Sequence, residues 1–131
     1  MEVIVNYHAG MKFSAQCGNH NLTIDLPEDS GGTDTAATPP QLFLSSLASC
    51  VGVYVVSYCK NTGLNTQGAQ FKITAEKATH PNRLENIKID IVLPNAEVGK
   101  RKDAVLAAAK KCLIHNTIKH HPVIDINLIT E

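Results

Sequence analysis

The stretch that most constrains this chain runs from Thr38 to Cys59, a long segment whose apolar residues recur all round a helix rather than along one stripe. Thr38 is placed to cap its start. Pro39 and Pro40 fall where a missing N–H costs little, and Gly63 lies just past the end. Such a pattern predicts a helix buried on every side. Ser45, Ser46, Ser49 and Ser57 tolerate that interior because their hydroxyls can bond back to helix carbonyls, while Ala48 and Gly52 leave room beside Cys50. The serines, and an apolar run shorter than a typical span, argue for a core helix rather than a membrane segment.

A chain of 131 residues is expected to form one domain, 1–131, able to bury a core without staples. Lysine plus arginine equal aspartate plus glutamate at 12 each, so neither nucleic acid nor a membrane surface is expected as a partner. Met1-Glu-Val-Ile-Val-Asn6 opens directly as a strand with no export signal, and the expected compartment is the cytoplasm. Four cysteines there are not a disulfide framework; reduced thiols, a metal site or redox chemistry are the options. Cys112 and His115, with His120 and His121 beyond, are the nearest thing to a ligand pair, but no second pair matches them, and neither metal nor cofactor is expected.

Glu2–His8, Lys12–Cys17 and Leu22–Asp25 alternate as three strands turned at Gly10 and Gly18-Asn19. The polar connection from Leu26 to Thr38 has no periodicity and reads as a loop, either a plain surface connection or one that shapes a site. After Gly63 the period becomes two: Phe71, Ile73 and Ala75, then Ile87, Ile89, Ile91 and Leu93, make a hairpin turned at His80-Pro81-Asn82, with one wet face. A second helix is expected over roughly Glu97 to Lys119, and a final strand at Ile124, Ile126 and Leu128. The order βββ-α-ββ-α-β, with antiparallel strands and two core helices, predicts an α+β domain. Its sheets are too short to enclose the first helix, so a second copy is expected to cover it in a homodimer.

Cys50 and Cys112 each fall inside one of the two expected helices, and packing of the helices would let their sulfurs face each other. Cys59, nine residues after Cys50, falls on the opposite side of its helix, and Cys17 ends a strand; both read as small hydrophobes.

Pro39-Pro-Gln-Leu-Phe-Leu-Ser-Ser-Leu-Ala-Ser-Cys50 resembles the first-cysteine helix of the OsmC/Ohr family of osmotically inducible and organic hydroperoxide resistance proteins. Lys111-Cys-Leu-Ile-His-Asn-Thr-Ile118 is similar to that family's second-cysteine helix, and the order of elements agrees along nearly the whole chain. The resemblance implies an intertwined homodimer with its sites at the interface. It also implies peroxidase chemistry, in which Cys50 attacks an organic hydroperoxide and Cys112 resolves the product, with a dithiol reductant regenerating both. The alternative is a binding module for a small apolar ligand, or a structural relative without catalysis.

The sequence departs from the family pattern at one place. Peroxidase members hold the attacking thiolate with an Arg from the N-terminal strands paired to a Glu ahead of the first cysteine. Here Pro40 stands at the Glu position, and the only arginines, Arg83 and Arg101, lie far downstream. The OsmC-like branch is therefore the closer resemblance. Burial without a cation would raise the Cys50 pKa. Lys12, His8 and His20 lie in the right part of the chain to substitute, and His115, one turn past Cys112, is the other candidate for stabilising the thiolate.

Overall fold

The computed structural model describes residues 1–130 and divides the chain into two compact units, Met1–Ser45 and the segment from Ser46 onward. In the first, β1 (Val3–Ala9), β2 (Lys12–Cys17) and β3 (His20–Ile24) pair in that order as an antiparallel meander. Tyr7 lies opposite Phe13, their rings edge to face at 5.4 Å, and Cys17 lies opposite His20. Every residue of β1 is exposed, and the unit buries only Ala15 and Asp25.

The order of this unit is polar. Asp25 is 1% exposed, and its Oδ2 accepts from the Thr33 hydroxyl at 2.7 Å, the Thr35 hydroxyl at 2.8 Å and the Thr35 N–H at 3.1 Å. Its Oδ1 accepts from the Leu26 N–H at 2.8 Å. The Thr33 and Thr35 hydroxyls foremost, with the Leu26 and Thr35 N–H groups, hold this carboxyl well below the usual carboxylate range. Gly32 passes so close to the Leu26 carbonyl that a β-carbon has no room. The connection after β3, legible in sequence only as an aperiodic loop, is thus a turn wound about one buried anion.

Its far end starts α1 (Pro39–Thr62). Thr38 donates its backbone N–H to Gln41 Oε1 at 2.9 Å, and the Gln41 N–H returns to Thr38 Oγ1 at 3.4 Å, a reciprocal cap. Ser45 bonds back to the Gln41 carbonyl at 2.7 Å, as expected of a helical serine. By length and composition alone α1 could cross a membrane, a test that core helices also pass.

The second unit packs α1 against the hairpin β4 (Gln70–Ala78) and β5 (Arg83–Val92), with α2 (Lys102–Ala109) and α3 (Leu113–Lys119) after it. Ile73 pairs with Ile89 and Phe71 with Ile91, and the alternate residues are wet. The core centres on Val55, Cys59 and Cys112, all 0% exposed. Gly52 admits the Phe71 ring, which a β-carbon would meet at 3.2 Å.

Three expectations meet the single chain, and the last two are corrected. First, α1 is covered on one side only, in keeping with sheets too short to enclose it: Leu47, Ala48, Val51, Gly52, Val55 and Cys59 form the covered stripe, while Val53 is 62% exposed. A two-stranded hairpin and two short helices cover only one side. Second, the helix expected over Glu97–Lys119 is broken, and Cys112 lies between its pieces. A 3-10 turn (Gly99–Arg101) precedes α2, and residues 110–112 separate α2 from α3. Cys112 has extended backbone (φ −52°, ψ 128°) and its sulfur accepts the His115 N–H at 3.3 Å, so it caps a new helix instead of continuing the old one. Third, Ile124, Ile126 and Leu128 form no strand and are 77%, 92% and 89% exposed. A strand exists only through the ladder it joins, and no strand edge takes these residues up in the single chain.

Candidate active site

The second unit brings Cys50 and Cys112 together. Cys50 sits in the middle of α1, half-buried against the core, and Cys112 sits fully buried at the start of α3. Small neighbours on α1, Ala48 and Gly52, let other elements approach closely at this level. The break after α2 turns the first backbone N–H groups of α3 toward the sulfurs, since no carbonyl one turn earlier is available to them.

The two thiols are pushed in opposite directions. Burial raises the Cys50 thiol, but the Cys112 thiol and the backbone N–H groups of Ile114 and Leu113 outweigh it, and Cys50 lies below the ordinary thiol value of 9.0. Burial first, and then the hydrogen bond that its thiol proton makes to Cys50, raise Cys112. Cys59 is raised by burial alone. A lowered thiol beside a raised one makes Cys50 the more acidic of the two.

The other expected residues fall elsewhere. Lys12 belongs to the first unit, where it lines a pocket of about 190 Å³ with Met11, Asp25 and Thr33. His8 bonds through Nε2 to Ser14 Oγ at 2.7 Å, and Cys17 ends β2. His115 serves the cysteine pair through its backbone N–H to Cys112; its ring is not among the groups that shift Cys50. Both arginines have other employment. Arg83 pairs with Glu85 at 3.0 Å, and Arg101 donates to the Thr62 carbonyl at 2.6 Å, closing the end of α1. No three His, Cys, Asp or Glu side chains converge among the described residues.

Sequence reasoning missed the amides of Leu113 and Ile114, since backbone groups carry no letter of their own. It also missed Asp25, whose signal was Thr33 and Thr35, eight and ten residues on and just after Gly31-Gly32.

Beside the cysteine pair runs an apolar groove of about 370 Å³, lined by Leu47 and Val51 of α1, Ile87, Ile89 and Ile91 of β5, and His115 of α3, among others; none of the four cysteines lines it.

The fold recurs in solved structures. One is described as an osmotic stress induced and detoxification response protein from Psychrobacter arcticus 273-4. It is 23% identical at a TM-score of 0.79, covering 88% of this chain and 85% of that one. An OsmC-like protein from Mycoplasma pneumoniae is 20% identical at 0.73, with 92% and 87% covered. An organic hydroperoxide resistance protein from Vibrio cholerae, with captopril bound in one of its active sites, is 18% identical at 0.68, with 92% and 86% covered. No curated protein matches. The family model of OsmC-like proteins matches residues 32–127, from the turn about Asp25 through α1, the hairpin and both cysteines to the tail beyond α3. With well over half of its length so matched, the chain belongs to the OsmC-like protein family.

Proposed function

We propose that this protein is a thiol peroxidase acting on organic hydroperoxides, with Cys50 attacking and Cys112 resolving. The observation that carries the reading is geometric: the Cys112 thiol and the Leu113 and Ile114 N–H groups at the start of α3 hydrogen-bond to the Cys50 sulfur. The Cys50 thiolate attacks the outer peroxide oxygen; the O–O bond breaks, the alkoxide leaves and takes up a proton as the alcohol, and Cys50 becomes a sulfenic acid. The Cys112 thiol then displaces that hydroxyl as water and forms a disulfide. A dithiol reductant opens it by exchange, restoring both thiols and leaving as its own disulfide. The backbone amides of α3 and the Cys112 thiol do the work for which peroxidase members of the family use an arginine, and this accounts for a chain without one there.

A homodimer in the cytoplasm belongs to the same proposal. Its support is apolar surface that the single chain leaves in water: Val53 of α1, Val3 and Val5 of β1, and Ile126 and Leu128 of the tail. The binding reading keeps one support of its own, the captopril held by the Vibrio cholerae protein.

The test is peptide mass mapping after one equivalent of organic hydroperoxide. A Cys50–Cys112 disulfide is expected, with Cys17 and Cys59 still reduced. Cys50→Ser abolishes peroxide consumption, and Cys112→Ser leaves Cys50 trapped as a sulfenic or over-oxidised acid. Lys12→Met probes the remaining cation: a slower attack adds the lysine to the amides, and an unchanged rate leaves the amides as the support. Free thiols at both positions after treatment would sink the two-cysteine cycle.

A further inference from the structure

Cys112 makes two hydrogen bonds of different kinds. Its thiol bonds to the Cys50 sulfur, and its own sulfur accepts the His115 N–H at 3.3 Å as the N-cap of α3. The cap matters because little else holds α3 in place. The helix has seven residues, none of them buried, and of its apolar side chains only Ile114 packs against the core. A helix of two turns is marginal in water without outside support, so the loss of a cap is a large change for it.

Oxidation of the pair removes that cap. In the cycle proposed above, the hydroperoxide takes two electrons from the two sulfurs, the two thiol protons leave in the alcohol and the water, and an S–S bond forms. The Cys112 sulfur must then pass from hydrogen-bonding to bonding distance of Cys50, which is fixed in the middle of the 24-residue α1. That move draws the sulfur off the first turn of α3, and the His115 N–H loses its acceptor. We propose that α3 is a redox latch, closed by Cys112 as cap in the reduced protein and released when Cys112 joins Cys50 in a disulfide. Release serves the return half of the cycle. Cys112 is 0% exposed, and α3, which begins beside it and lays Ile114 on the same core, is part of its cover. A loosened α3 uncovers the disulfide to the dithiol reductant, and reduction restores the thiol, the cap and the helix. The latch rests on the two-cysteine cycle and adds what governs its second half.

Hydrogen exchange of the full-length protein is followed at the α3 amides, with the α1 amides around Val55 as the internal reference for an intact fold. The disulfide is made with diamide, which takes both thiol hydrogens as it becomes a hydrazine, and is confirmed by peptide mapping. A protein that closes the bond with diamide but not with hydroperoxide loses the peroxidase reading and keeps the latch. The expected result is α3 exchange on the order of tenfold faster in the oxidised form, with the reference unchanged. Cys50→Ser, which cannot form the bond, should show no such change with diamide. In the reduced state Cys112→Ala should exchange as fast as the oxidised wild type, and Cys112→Ser, whose hydroxyl can cap a helix, should restore protection. Dithiothreitol reads the return half: Asn116→Ala with Thr117→Ala, at exposed positions where alanine is the better helix former, should slow reduction of the disulfide about fivefold. Equal protection of α3 in the two redox states overturns the proposal, as does a Cys112→Ala variant as protected as Cys112→Ser. So does a pair that diamide leaves unbonded, or a reduction rate that the two alanines leave unchanged.

Discussion

The two units solve the problem of order by opposite means. The N-terminal meander buries one alanine and one aspartate, and its connection to α1 is wound about that aspartate through hydroxyls and N–H groups from within ten residues. The second unit is held by side chains far apart in sequence, Leu47 to Cys112, around an apolar centre. Local polar bonds can fix a turn, because each partner is already near. Only a distributed core can bring two cysteines 62 positions apart to one place, and only there can burial and backbone dipoles drive their thiols apart in acidity.

Packing should separate the units most strongly. Val55, 0% exposed, should cost roughly 2 kcal/mol on truncation to Ala, while Val5, 54% exposed on β1, should cost under about 0.5 kcal/mol. Urea unfolding at two protein concentrations reads both. A Val5 penalty that approaches that of Val55 and grows with concentration breaks the contrast, since β1 would then be covered by a second copy.

Acid should strike the first unit in particular. The folded-state pKa of Asp25 is depressed below its ordinary value of 3.8, so its contribution to stability is complete above that value. It is lost as pH falls below 3.8 toward the folded value. Hydrogen exchange at the Thr33 and Thr35 amides should accelerate over that window in the wild type. Asp25→Asn should show faster exchange already at neutral pH, with its acid dependence gone. Equal acid sensitivity of the core amides around Val55 would remove the distinction between a polar and an apolar nucleus.

A smaller effect tests the backbone at the cysteine pair. Cys112 already has the extended conformation that a residue before proline adopts, and Leu113 is the first residue of α3, so Leu113→Pro deletes one N–H near Cys50 without forcing the chain. Alkylation rates against pH should place the Cys50 thiol higher in this variant, with the melting temperature little changed. An unmoved profile would leave the Cys112 thiol and the Ile114 N–H as the groups that lower it.

Much of this was legible beforehand, for reasons that differ by element. Strands β1, β2, β4 and β5 were readable because alternation in sequence is alternation in space, and α1 because Thr38 and Gln41 cap it from within four residues. The two cysteines were readable from their motifs. The broken second helix was not, because its apolar spacing suits one helix or two, and only the Cys112 sulfur, accepting an N–H three residues on, ends one and begins the other. Asp25 read as the polar end of a strand. The tail read as a strand from the alternation of Ile124, Ile126 and Leu128, yet alternation states only which face a strand would bury and cannot supply the neighbour it needs. The sequence by itself thus determined the elements whose bonds close locally, together with the residues able to carry chemistry. Tertiary structure alone decided that Cys50 and Cys112 meet, which backbone amides face them and how deeply each thiol is buried, because burial and direction exist only once distant segments have met.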